Sequence, residues 1–130
     1  MAAAIYNLCW GVFVVVWPRL PFEWAGMEVP NYLSLWQCIG MIVGVYGVGY
    51  AIAASHPARH WPLVLVGLLG KVLGPMGFLW AAVQGELPWR AGCMILANDI
   101  VWWLPFGLIL WHARRCATAS QPDANAVLEV

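Results

Sequence analysis

The sequence predicts an all-α fold: an integral membrane four-helix bundle with both termini on the same side. Three observations carry this. Hydrophobic residues make up 63% of the 130-residue chain and charged residues only 9%, against about 25% charged in soluble domains, and the mean hydropathy is +0.76. Four apolar segments can be counted, three of them near the ~20 residues needed to cross a bilayer core. Tryptophans stand at or near most segment ends (Trp17, Trp36, Trp61, Trp80, Trp89, Trp111), as in the aromatic belts of a membrane–water interface. The tryptophans therefore require no cofactor. A formal net charge of zero gives no electrostatic case for nucleic acid, which leaves the lipid bilayer as the partner that composition implies.

The first segment, residues 3–17, is the shortest and is stopped by Pro18. The chain start has no basic n-region and no small-residue cleavage site follows it, so it reads as a retained helix rather than a signal. Residues 20–27 carry Phe22, Trp24 and Met27 and read as a short piece resting in the interface. The second segment spans 36–54, the third 61–84 and the fourth 89–111, the last two folding as an antiparallel hairpin about Gly85–Pro88. Residues 1–113 then form one transmembrane domain, and 114–130 a polar tail expected to be disordered. Arg59, Arg114 and Arg115 on one side exceed Arg19 and Arg90 on the other, where Glu23, Glu28 and Glu86 dilute them. The positive-inside rule thus places both termini in the cytoplasm.

Small residues mark the packed faces. Gly40, Gly44, Gly47 and Ala51 form one stripe on the second segment, and Gly67, Gly70, Gly74 and Gly77 one on the third. Such stripes let helices approach closely in lipid, against each other or adjoining helices.

Lys71 borders the third-segment stripe and should point into the bundle. Pro75, four residues on, removes the hydrogen bond to the Lys71 carbonyl. In the fourth segment Asp99 shares a face with Gly92, Leu96, Trp103 and Phe106, and the hairpin sets it about 3 Å off the level of Lys71, within reach of a lysine. Pro105 similarly frees the Val101 carbonyl. The pair admits two readings: a neutralising bridge that fixes helix register, or a site that binds a polar group or moves a proton. Asn98, Tyr46 and Tyr50 are the residues that could join it, with Asn7 and Tyr6 weaker candidates near the cytoplasmic end of the first segment.

Cys9, Cys38, Cys93 and Cys116 form no CxxC pair and match no zinc spacing. They read as small buried hydrophobes, with a Cys38–Cys93 disulfide a minor alternative. Pro57 separates His56 from His60 and argues against a helical metal pair. No metal site is expected, no cofactor is assigned, and an interfacial loop touching head groups is the favoured reading of that cluster.

Four runs carry a resemblance: Tyr6-Asn7-Leu8-Cys9-Trp10-Gly11, the glycine-rich stretch from Gly40 to Tyr50, His60-Trp61-Pro62 through Gly70-Lys71-Val72-Leu73-Gly74-Pro75, and Asn98-Asp99 through Pro105-Phe106. They resemble a family of small bacterial four-helix membrane proteins of unknown role, sometimes labelled "alkyl hydroperoxide reductase". The resemblance spans about residues 5–110 and implies a bacterial inner (cytoplasmic) membrane, multi-pass protein. A thiol peroxidase needs an accessible, low-pKa cysteine near cations, whereas Cys9, Cys38 and Cys93 lie in apolar segments. A looser likeness to DoxX-like proteins, some linked to quinone redox complexes, is an analogy of fold.

Three functions follow as expectations. The first is a membrane protein whose polar centre of Lys71, Asp99 and Asn98 binds or moves a small amphiphile, such as a lipid or quinone, or a proton. The second is an accessory or structural subunit of a larger membrane complex, or a homo-oligomer, in which the pair only fixes register. The third is a membrane redox or lipid-modifying enzyme, for which no nucleophile–base pair is visible.

Overall fold

The computed structural model describes residues 1–119, which form no β-strand. Helix α1 spans Ala2–Val16, α2 Leu20–Ala25, α3 Leu33–Ser55, α4 Trp61–Val83, α5 Gly92–Asn98 and α6 Trp103–Ala119, with 3-10 turns at Trp89–Ala91 and Ile100–Trp102. Helices α3 and α4, and the stretch Trp89–Thr118, are long and apolar enough to cross a membrane, whereas α1 is apolar but shorter. At 1.5 Å per residue the two 23-residue helices are each about 34 Å long.

Glycine decides how α1 meets α3. A Cβ added to Gly11 would lie 2.7 Å from the Gly40 carbonyl oxygen and 3.0 Å from Gly44 Cα, and one added to Gly40 would lie 2.7 Å from Val14 Cγ1. The backbones thus approach closely enough that no side chain fits between them. Gly40 and Gly47 of the second-segment stripe therefore face α1, while Gly44 has open space beside it. On α4 the expected single packed stripe divides. Gly67 receives the Tyr50 ring and Gly74 the Asp99 carboxylate, while Gly70 and Gly77 have open space beside them. The buried face of α4 instead runs Val64, Gly67, Lys71, Pro75 and Ala82, a helical stripe that includes the lysine.

Both reversals on the α2 side end in glycine. Gly26 (φ 58°) and Gly85 (φ 76°) lie in the left-handed region, where an L side chain is strained. In each, the glycine N–H and the next N–H reach back to helix carbonyls: Gly26 to Glu23 and Met27 to Phe22, Gly85 to Ala82 and Glu86 to Ala81. This double bond is the Schellman termination. Arg90 Nη2 donates to the Gly26 carbonyl over 2.7 Å, which ties the end of α2 to the start of the last helical stretch.

Helix α2 docks onto the bundle rather than only lying on its surface: Pro21 is fully buried, Phe22 meets Trp36 edge-on at 5.2 Å and Trp24 stacks on Phe13 at 5.5 Å.

Three further expectations are corrected. The fourth segment is not one helix: α5 stops at Asn98, and Asp99 adopts φ −122° and ψ −59° before the 3-10 turn. Its break turns Leu96, expected on the face of Asp99, outward, while Phe106 stays buried. The tail does not begin at residue 114, because α6 continues through Ala119; the remainder of the expected disordered tail, 120–130, lies outside the described residues. The cysteines are exposed rather than buried, and Cys9, Cys38 and Cys93 carry no disulfide. Cys116 Sγ lies 3.5 Å from His112 Nε2.

The α1–α3 contact sets a prediction. Gly11→Val should destabilise the protein by about 1–3 kcal/mol through overpacking. Gly49→Ala, with nothing within 4 Å of the added carbon, should be neutral or stabilise by up to ~1 kcal/mol. Thermal unfolding followed by circular dichroism checks both; equal effects would contradict the close α1–α3 approach.

Candidate functional site

The site begins with two defects in helical hydrogen bonding. Pro75 has no N–H, so the Lys71 carbonyl loses its partner within α4. Trp103 Nε1 donates to that carbonyl across 2.9 Å. In the last helical stretch, the Trp102 N–H turns to the Asp99 carbonyl (3.1 Å), which takes it away from Asn98. The Asn98 carbonyl is then open, and Lys71 Nζ donates to it at 2.5 Å. Each helix breaks its own ladder at one point, and a side chain from the facing stretch satisfies the loose carbonyl.

The charges lie within this clasp. Lys71 Nζ is 3.5 Å from Asp99 Oδ1, and the residues are each 6% exposed. Asn98 Nδ2 donates to Asp99 Oδ1 over 3.0 Å, and Gly74 leaves the space that the carboxylate occupies. The sequence-derived pairing of Lys71 with Asp99 is therefore present, with Asn98 contributing both a backbone acceptor and a side-chain donor.

Around the pair lies a cleft of about 350 Å³ whose walls include Asn7, Tyr46, Tyr50, Lys71, Asn98 and Asp99. All five residues proposed from sequence line it, along with one that was ranked low. Asn7 is only 2% exposed, and its Oδ1 has no hydrogen-bond partner. It stands in the cleft wall, not at a peripheral helix end. Tyr50 is buried and meets Phe106 edge-on at 5.1 Å, whereas Tyr46 is exposed at the cleft margin. Tyr6, the other low-ranked residue, packs on Trp102 at 5.4 Å. The outer margin of the cleft runs between exposed Ile39, Ile42 and Tyr46 of α3 and exposed Gly70 and Gly74 of α4. The cleft is thus reached from the side of the bundle, between two helices.

Sequence reasoning did not find Trp103 as the partner of the Lys71 carbonyl. The signal was available: a proline-freed carbonyl beside a lysine requires a donor, and Trp103 lies one turn beyond Asp99. Trp36 lies in the first turn of α3, in keeping with its reading as a belt tryptophan, and its Nε1 is buried without a partner. Among the described residues, no group of three or more His, Cys, Asp or Glu side chains converges as a metal site. His56 instead closes the α3–α4 turn, its carbonyl accepting the N–H groups of Arg59 and His60.

The fold and the cleft define a small all-helical protein with three long apolar stretches and a buried, neutralised ion pair. Comparison of the chain with protein-family models, with curated proteins and with solved structures gave no match.

Two predictions follow from the clasp. Asp99→Ala should destabilise by about 3–5 kcal/mol, because it strands a buried ammonium. Lys71→Met with Asp99→Leu should recover most of that loss in the same unfolding assay. Trp103→Phe should cost about 1–2 kcal/mol and cost clearly less in a Pro75→Ala background, where a backbone N–H can again reach the Lys71 carbonyl. Additive losses in that double-mutant cycle would refute the capping role of the indole.

Proposed function

We propose that this chain is an integral, multi-pass membrane protein with a four-helix core that binds a small amphiphile, its polar head held at Lys71, Asp99 and Asn98. The observation that carries this reading is the side-opening cleft in which the ion pair, Asn98, Tyr46, Tyr50 and the unpartnered Asn7 oxygen converge. An opening between helices suits a ligand that arrives from the hydrocarbon phase rather than from water. The outward surfaces support a lipid setting. Leu35, Val45 and Ile52 of α3, Leu69, Leu73 and Met76 of α4, and Leu104 and Leu108 of α6 are all exposed, far more contiguous apolar area than a water-facing monomer carries. Trp17, Trp61, Trp80 and Trp89 remain exposed near helix ends, as an interfacial belt requires, whereas Trp111 is exposed at the middle of α6. The α1–α2 unit would complete the fourth crossing, α1 alone being about 22 Å long.

On this reading both termini are cytoplasmic and the membrane is a bacterial inner membrane, as the family resemblance would imply. The resemblance's peroxidase label gains no support from Cys9, Cys38 and Cys93, none of which lines the cleft. A second reading, an accessory subunit or homo-oligomer, draws on Gly77, which is exposed on α4 with nothing within 4 Å and offers a flat face to another helix.

Native mass spectrometry of the detergent-extracted protein tests the first reading. The wild type should retain a co-purifying amphiphile, and Lys71→Met with Asp99→Leu should lose it while circular dichroism remains unchanged. Retention of the same ligand by the folded double mutant would overturn the assignment and favour the register-fixing subunit.

A further inference from the structure

A second cavity adjoins the polar cleft. It has a volume of about 330 Å³, with Trp10, Phe22, Met27, Trp36, Phe78 and Met94 among its walls, and lies against α2. The two cavities share Ile39, Val43 and Asn98. Asn98 is therefore the polar residue in the wall common to a charged cleft and an aromatic chamber.

Three features of these walls specify an occupant. First, among the described residues the only full charges lining the two cavities are Lys71 and Asp99, and they neutralise one another at 3.5 Å. A charged head group would bring in an ion with no counter-ion left to meet it, at a large desolvation cost. Second, Asn98 Oδ1 is buried without a partner. Its amide orientation is set by the Nδ2 bond to the Asp99 carboxylate, so the free atom accepts only and calls for an O–H or N–H donor. Third, Trp36 Nε1 is a buried donor without a partner in the chamber wall, and it calls for an acceptor oxygen.

We propose that the cleft and chamber together form one binding site for an uncharged, hydroxyl-bearing lipid. Its O–H donates to Asn98 Oδ1, a second oxygen accepts from Trp36 Nε1, and its apolar body begins in the chamber beneath α2. This inference rests on the amphiphile-binding reading above and narrows its ligand class. Two kinds of membrane lipid offer this chemistry: acylglycerols, with free hydroxyls next to an ester, and hydroquinones, with two ring oxygens. Fatty-acid carboxylates and phospholipids do not, because each brings ionised groups that find no free counter-ion here.

Native mass spectrometry of the delipidated full chain, titrated with defined probes, tests the inference. 1-Monoolein, methyl oleate and oleate share one acyl chain and differ in the head; decylubiquinol and decylubiquinone differ in the O–H. The expected result is that monoolein binds at least about tenfold more tightly than methyl oleate and oleate, or decylubiquinol than decylubiquinone, and the pair that shows the preference identifies the source. Asn98→Leu, which leaves the backbone carbonyl used by Lys71 in place, should remove the preference. Val43→Trp should block the junction and abolish binding. Should that variant fail to fold, Trp36→Phe keeps an aromatic ring in the chamber wall but removes the indole N–H, and should weaken binding of the preferred probe by about tenfold. Oleate binding as tightly as the hydroxyl probes, no preference within either set, or no binding of any probe would each overturn the inference. If the wild type still retains an amphiphile that Lys71→Met with Asp99→Leu releases, the polar centre stands and only the hydroxyl-lipid assignment falls.

Discussion

Two carbonyls without helical partners organise this protein. The Lys71 carbonyl is orphaned by Pro75, and the Asn98 carbonyl by the 3-10 turn that follows Asp99. Each is satisfied from the opposite stretch, by the Trp103 indole and by the Lys71 ammonium. In an apolar interior an unsatisfied backbone group costs several kcal/mol, so neither break survives unless the two stretches are in register. The lysine is then fixed at both its backbone and its side-chain end, and Asp99 supplies the charge that makes its burial tolerable. Charge, helix break and helix register are one interaction rather than three.

The proposed ligand site depends on the same geometry. A continuous helix through residue 99 would keep the Asn98 carbonyl in its own ladder and leave Lys71 only the carboxylate. The break releases that carbonyl, lets the Asn98 side chain bond to Asp99, and leaves Asn98 Oδ1 buried without a partner in a residue that lines both cavities. Broken helices in apolar surroundings occur where protein or a cavity can take up the loose polar groups, and here the break lies on the cleft wall. The small residues serve this centre too: Gly67 makes room for Tyr50 and Gly74 for the carboxylate. Substituting either would disturb the site before it disturbed the bundle.

Much of this was legible in the sequence, and what was not has physical reasons. The hydropathy pattern gave α3 and α4 to within a few residues, and Pro75 announced the freed carbonyl. Counting residues about the Gly85 turn brought Lys71 level with Asp99, because a short antiparallel hairpin leaves little freedom of register. The break at Asp99 was not legible. Pro105 marked a defect near Val101, but whether the chain bends there or one turn earlier depends on Lys71 capturing the Asn98 carbonyl, a contact 27 residues apart. Likewise the glycine stripe of α3 announced a close contact without naming its partner, since any helix lacking bulk on the matching face, as α1 does at Gly11, can take it.

The role of α2 was the least accessible. Six residues, with a proline at the second position and an exposed Trp24, read as an interfacial fragment, and periodicity cannot reveal that Pro21 and Phe22 close a chamber. That closure is a tertiary fact, held by the Arg90 bond to Gly26, whose left-handed backbone sits against the guanidinium where a side chain would clash. Arg90 therefore contributes more than a count in the charge asymmetry across the bundle. It couples the turn after α2 to the start of the broken stretch, so that the chamber's roof and its floor at Asn98 belong to one connected path. The docking of α2 thus bears, through Arg90, on the stretch that carries the helix break and on the ion pair that depends on it.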